Sequence, residues 1–236
     1  MNRVEIGKAH SKNRAKIKKA ITQLNRSLNQ AIKENKKELE HANVRMIIIM
    51  YAAYLESTLS YLLYSYETQI KIQSVNYILD KRSEYDRWAG FIEFTFRRNF
   101  LAGKRKALNL VNLKHTNFQR YTYITELLDN DVRAIIEIRN KLAHGQWAIA
   151  FNSDGDEKNK DVTTKLWTLS KKDVLTTKNI VLKFTEIMEA SISSAAQFTS
   201  SFDGVIGALE DNKINHEEQY AWLLSEIKRK KRRENV

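Results

Sequence analysis

Arg139, Asn140 and His144 stand together in the stretch EIRNKLAHGQW, residues 137–147, and these three side-chain types cover the chemistry of phosphodiester cleavage. Imidazole titrates near neutral pH and can give or take a proton. Guanidinium stabilises charge that develops on a phosphate oxygen, and the Asn140 amide can orient the His or bind phosphate. Together they suffice to drive a ribose 2′-hydroxyl against its neighbouring phosphate without a metal. The same residues also suit a plain helix end, where Arg and His bond the last carbonyls and favour the helix dipole. On an ideal helix Asn140 and His144 share a face, but Arg139 to His144 is a step of roughly 140°. One helix therefore does not focus all three groups on one point, whereas a second copy related by a two-fold axis supplies the missing geometry.

The element that must carry this motif is a helix over 119–143, whose apolar face holds Ile124, Leu127, Leu128, Val132, Ile135, Ile136 and Ile138. Gly145 is its natural stop. Upstream, 12–40 shows Ile17, Ile21, Leu24, Leu28 and Ile32 at helical spacing with a basic outer face. Residues 43–66 are apolar nearly all round, which predicts a buried central helix. Further helices are predicted over 70–81 and 84–100. After Gly145 the period changes: QWAIAF (146–151) and VTTKLWTL (162–169) flank a polar loop with Asp154-Gly155, the pattern of a small appended β-hairpin over 146–169. Helical spacing returns over 174–202, and a short helix is predicted over 216–227 before the basic run Lys228–Arg233, a solvated tail.

Composition agrees with an all-α chain. The 236 residues include no Pro, the residue that breaks helix interiors. They include no Cys, which removes disulfides, thiolate metal sites and cysteine nucleophiles and fits a reducing, cytoplasmic home. The polar start of the chain lacks the apolar core of a signal peptide. Met46–Tyr66 is the only stretch apolar enough to suggest a membrane, yet Glu56 and several hydroxyl residues interrupt it, so no membrane association is expected. With no internal repeat or long linker, one domain is expected: a basic helix over 1–40, a bundle over 41–202, and a terminal helix and tail over 203–236.

Forty Lys and Arg against 28 Asp and Glu give a net charge of +12, which attracts polyanions such as nucleic acid. Between Arg97 and Arg120 basic residues stand with no acidic one, and Arg97, Arg98, Lys104, Arg105, Lys106 and Lys114 are candidate RNA contacts beside Phe100, Phe118, Tyr121 and Tyr123. A solvated face explains the same block. Glu56, inside an apolar helix, must be solvated or paired. It either salt-bridges Arg133 or Arg139 structurally, supports the motif, or does both. His10, His41, His115 and His216 show no metal-ligand spacing. Trp88, Trp147, Trp167 and Trp222 suit the core or an interface. Neither a Gly-rich phosphate loop nor a catalytic carboxylate pair is visible.

Arg139-Asn140-x-x-x-His144 resembles the R-x4-6-H signature of HEPN domains, including the polar residue that follows the Arg. What the resemblance implies is a helical bundle that dimerises so that two motifs face one another, over roughly residues 40–200. Many such proteins are metal-independent endoribonucleases of toxin–antitoxin, abortive-infection and related systems. By that resemblance His144 is the general acid or base, Arg139 the phosphate contact, Asn140 an orienting or substrate-binding group, and Glu56 an acidic residue near the motif. The implied products carry 2′,3′-cyclic phosphate and 5′-hydroxyl ends. The implied partners are RNA, a second copy of the chain, and an antitoxin or regulatory protein, with no cofactor. HEPN toxins controlled by nucleotide transfer often have a Tyr two residues after the His, where this chain has Gln146, so that form of control is not expected. The other function class is a non-catalytic helical module that binds RNA or a protein partner.

Overall fold

In the computed structural model, which describes residues 2–101, 106–152 and 154–234, helix α1 (Arg3–Glu34) starts on a capping box between Asn2 and Glu5. It stops where Asn35 turns left-handed at φ 57°. Helix α2 (Lys37–Ser65) then runs back along it: Arg3 donates to the carbonyl of Leu63 at 2.6 Å, and the Arg14 guanidinium lies 4.3 Å from the Tyr61 ring centre. At Gly7 an added Cβ would sit 2.7 Å from Ser65 Oγ and 3.3 Å from Ser65 backbone atoms, so the close approach requires glycine. The sequence pattern over 12–40 is thus two helices meeting at Asn35-Lys36.

Helix α2 is the axis of the structure and packs against α1, α7 and α9. Its Leu55, Leu59, Leu62 and Leu63 are at most 1% exposed, each burial stabilising the fold by ~2 kcal/mol. Among the described residues α2 alone has the length and hydropathy of a membrane span, and 61% of its most apolar window is buried within the chain.

Helices α3 (Ile72–Leu79) and α4 (Glu84–Phe100) follow as expected. The α4 aromatics meet those of the later helices, with Trp88 edge-on to Phe184 at 4.9 Å and Phe96 against Phe198 at 5.3 Å. A short turn α5 (Leu110–Leu113) leads into α6 (His115–Leu127), a π-helical turn (Leu128–Val132) and α7 (Arg133–Ala143), which together make the continuous helical run that the periodicity predicts. The π turn is pinned to the start of α4. Tyr85 donates to Asp129 at 2.5 Å and the Arg133 guanidinium stacks on the Tyr85 ring at 3.9 Å.

No strand is found among the described residues, which corrects the appended hairpin. Residues 146–152 are irregular, and a single bridge joins Phe151 to Lys158. The turn chemistry is present, since Asn152 Oδ1 accepts from the Gly155 amide at 2.7 Å with Gly155 at φ 81°. The second run is helix α8 (Lys160–Thr168), capped by Asn159, whose side chain accepts from the Val162 amide at 3.0 Å. Val162, Leu166 and Leu169 repeat at four and three residues, a helical period that outweighs the β-branched composition.

The predicted helix over 174–202 is two helices, α9 (Lys171–Ser193) and α10 (Ala195–Ile214). The break falls at Ser194, an extended residue whose side chain accepts from the Gln197 amide and so starts the next helix. The last helix, α11 (His216–Glu234), carries its backbone through Lys228–Arg233, so the basic run is helical rather than a separate tail.

Candidate active site

Helix α7 ends on a Schellman motif: the Gln146 amide donates to the Lys141 carbonyl at 2.9 Å and the Gly145 amide to that of Leu142 at 3.2 Å. Gly145 takes φ 77°, a conformation that other L-residues adopt with strain. His144 is consequently the capping residue, and its side chain is exposed and makes no hydrogen bond or ion pair with the described residues. The chain beyond it is fastened in two places. Trp147 Nε1 donates to the Leu142 carbonyl at 2.9 Å, and the buried Arg45 lies between the rings of Trp147 and Trp167, 5.9 and 5.1 Å from their centres.

One turn and more back, Arg139 is held from two sides. Its Nη2 donates to Glu56 on α2 at 2.5 Å, and its Nη1 donates to Asn140 Oδ1 at 3.1 Å. Of the two partners foreseen for Glu56, Arg139 is the one engaged, while Arg133 turns to Tyr85. The Arg139 and Glu56 side chains are 26% and 49% exposed, so solvent screens the pair and its contribution to stability is small. The structure therefore joins Arg139, Asn140 and Glu56. His144 follows on the same helix: its backbone amide donates to the Asn140 carbonyl at 3.1 Å, while its side chain makes no hydrogen bond with theirs.

A second carboxyl, Glu84, belongs to this site and was not expected from the sequence. It opens α4, and its Oε1 is buried without a hydrogen-bond partner. Burial raises its pKa to about 7, the Glu56 charge pushes in the same direction, and Arg87 and Arg139 oppose both. The Trp88 indole N–H also favours the ionised form but stays short of a well-formed hydrogen bond. Nothing in the sequence separates Glu84 from an ordinary acidic residue in a first helical turn, because the charges that tie it to the motif, Glu56 and Arg139, come from α2 and α7.

The basic block is dispersed. Arg97 pairs with Glu93 at 2.8 Å and donates to the Lys106 carbonyl at 2.5 Å. Arg98 donates to the carbonyl of Ser191 at 3.0 Å, and burial lowers its pKa. Lys106 and Lys114 are exposed, and Lys104 and Arg105 lie outside the described residues. The aromatics beside the block are engaged as well: Phe100 and Tyr121 pack on Phe96, and Tyr123 donates to Glu210. Among the described residues no three His, Asp or Glu side chains converge as a metal site.

No family model, no curated protein and no solved structure matches this chain.

Proposed function

We propose that this chain is a metal-independent endoribonuclease of the HEPN type that works as a homodimer. The supporting observation is a division of labour on α7: Arg139 is fixed by Glu56 and Asn140, while His144 is exposed and uncommitted at the helix end. A guanidinium held by a carboxylate and an amide keeps further N–H groups for a phosphate oxygen. An imidazole without a protein partner is available to move a proton.

In this mechanism the ribose 2′-oxygen loses its proton and attacks the adjacent phosphorus in line, the P–O5′ bond breaks, and the 5′-oxygen takes up a proton. Arg139 binds the equatorial oxygens as their charge grows. His144 serves as the acid for the leaving group or the base for the 2′-hydroxyl. The products are a 2′,3′-cyclic phosphate and a 5′-hydroxyl. A two-fold related copy brings a second motif to the same cleft, which answers the angular separation of Arg139 and His144 on one helix. A toxin or phage-defence role, held in check by an antitoxin or regulatory protein, accompanies this reading in a cytoplasmic setting.

A second reading has its own observation. The Arg139–Glu56 pair also clamps α7 to α2, as a purely structural motif in a non-catalytic RNA- or partner-binding module would. Incubating wild type and His144→Ala with a labelled single-stranded RNA in EDTA separates the two. Cleavage by wild type alone, with cyclic phosphate ends and a particle mass near twice 27.6 kDa, is the expected result. Equal cleavage by both proteins removes His144 from the chemistry, and none by either moves the reading to a binding module or to an enzyme that needs an activator.

A further inference from the structure

A groove of about 360 Å³ runs between α1 and α2 and is lined by His10, Asn13 and Lys16 on one side and Ala53, Glu56 and Ser57 on the other. Its volume is that of a small-molecule site. Glu56, on the α2 wall of the groove, is the residue that Arg139 grips, so groove and motif share one carboxylate.

Lys16 on the rim of the groove belongs to a strongly charged stretch of α1. Residues 8–19 contain six Lys and Arg and no acidic residue. Two of the six are committed to the fold: Arg14 lies over Tyr61 at 4.3 Å, and Lys18 lies over Tyr54 at 5.2 Å. The other four, Lys8, Lys12, Lys16 and Lys19, are exposed and make no ion pair among the described residues. Their spacing of four, four and three residues puts them in one row on α1. The row is about 16 Å long, with steps of about 6 Å that suit successive phosphates of an extended strand. Four uncompensated cations in a row oppose folding by mutual repulsion, and a polyanion relieves it.

We infer that this groove is the path by which a single-stranded RNA reaches Arg139, its phosphates on Lys12, Lys16 and Lys19 of the row and its sugars and base edges against His10, Asn13 and Ser57. The inference rests on the ribonuclease reading for the destination of the strand. His10 lies parallel to Tyr64 with ring centres 5.9 Å apart, and burial lowers its pKa, so at neutral pH it is an uncharged donor and acceptor. An anionic membrane is a poorer match for the lysine row, because the apolar stripe of α1, Ile17, Ile21, Leu24 and Leu28, is packed on the core and unavailable for insertion.

The test measures binding of a labelled oligouridine to the His144→Ala protein by anisotropy over a KCl series. Lys12→Gln, Lys16→Gln and Lys19→Gln are combined in that background. The control is Lys158→Gln, Lys160→Gln and Lys165→Gln, which removes the same charge from exposed positions elsewhere. The row variant is expected to lose roughly tenfold or more in affinity, with the slope of log K against log salt falling by about 2, near 0.7 for each phosphate contact. The control keeps the parent affinity, and the Lys→Arg triple at the row restores binding. Equal losses in both triples, or none in the row variant, overturn the path. Loss of phosphatidylserine-vesicle binding in the row variant with RNA binding unchanged overturns it in favour of a membrane surface. Cleavage by wild type with the row variant unimpaired sinks the groove and keeps the nuclease. Row-dependent binding without cleavage by wild type keeps the groove and sinks the nuclease.

Discussion

Replacing Glu84 by Gln isolates the electrostatics beneath Arg139. An unfolded Glu titrates near 4.5, whereas Glu84 in the folded chain titrates at about 7 because it is buried beside Glu56. The folded protein thus holds a proton that the unfolded chain has already released. The resulting penalty on folding is absent below pH 4.5, grows between 4.5 and 7, and is complete above 7. At 1.36 kcal/mol per pKa unit it amounts to roughly 3 kcal/mol. Glutamine removes the penalty but also removes a negative charge from the first turn of α4, a loss of about 0.3–1 kcal/mol. Near pH 8, Glu84→Gln should be more stable than wild type by ~2 kcal/mol, or about 4 °C in melting temperature for a chain of this length. Near pH 4, where Glu84 is protonated in both states, the advantage should be gone. Urea unfolding at the two pH values measures it directly. A difference independent of pH, or a variant less stable than wild type at pH 8, would refute the reasoning. Glu56→Gln provides an internal check: it removes the neighbouring charge and frees Arg139 to turn toward Glu84, so the Glu84 titration followed by carbon NMR should fall.

Four further substitutions probe the frame of the site. Glu56→Ala and Arg139→Ala should each lower stability by less than about 1 kcal/mol, because the pair is partly exposed, while RNA cleavage falls steeply with Arg139→Ala; a large stability loss with unchanged cleavage would make the pair purely structural. Gly145→Ala should cost about 1 kcal/mol in chemical denaturation through its positive φ, and a neutral result would mean that the end of α7 relaxes freely. Thr58, fully buried with its hydroxyl unpartnered, should accept Val with a gain of about 1 kcal/mol; destabilisation would show that the hydroxyl has a partner in solution.

Much of the frame was legible in the sequence because it is local. Helical periodicity located α2, α4 and the run from α6 to α7, and Gly145 marked the stop that places His144 at a helix end. The errors also have local causes. Val162, Thr163 and Thr164 carry β-branched side chains, yet the four- and three-residue spacing of Val162, Leu166 and Leu169 decides for a helix packed on the core. The apolar rhythm from Val174 to Phe202 passes unbroken through Ser194, and only the serine cap divides it. Arg97 and Arg98 look like free cations in a one-sided block, but each has its own partner, Glu93 for one and the Ser191 carbonyl for the other.

What the sequence by itself determined is therefore the helical class and the motif on α7, since periodicity, caps and residue spacing act within a few residues of one another. The tertiary structure alone decided which charges meet. Glu56 and Arg139 lie 83 positions apart along the chain, and their pairing follows from how α2 and α7 pack. Glu84 joins them because Tyr85 and Arg133 pin the start of α4 to the π turn. Its raised pKa is a property of that enclosure, produced by burial and a neighbouring charge, and no local pattern of residues encodes it.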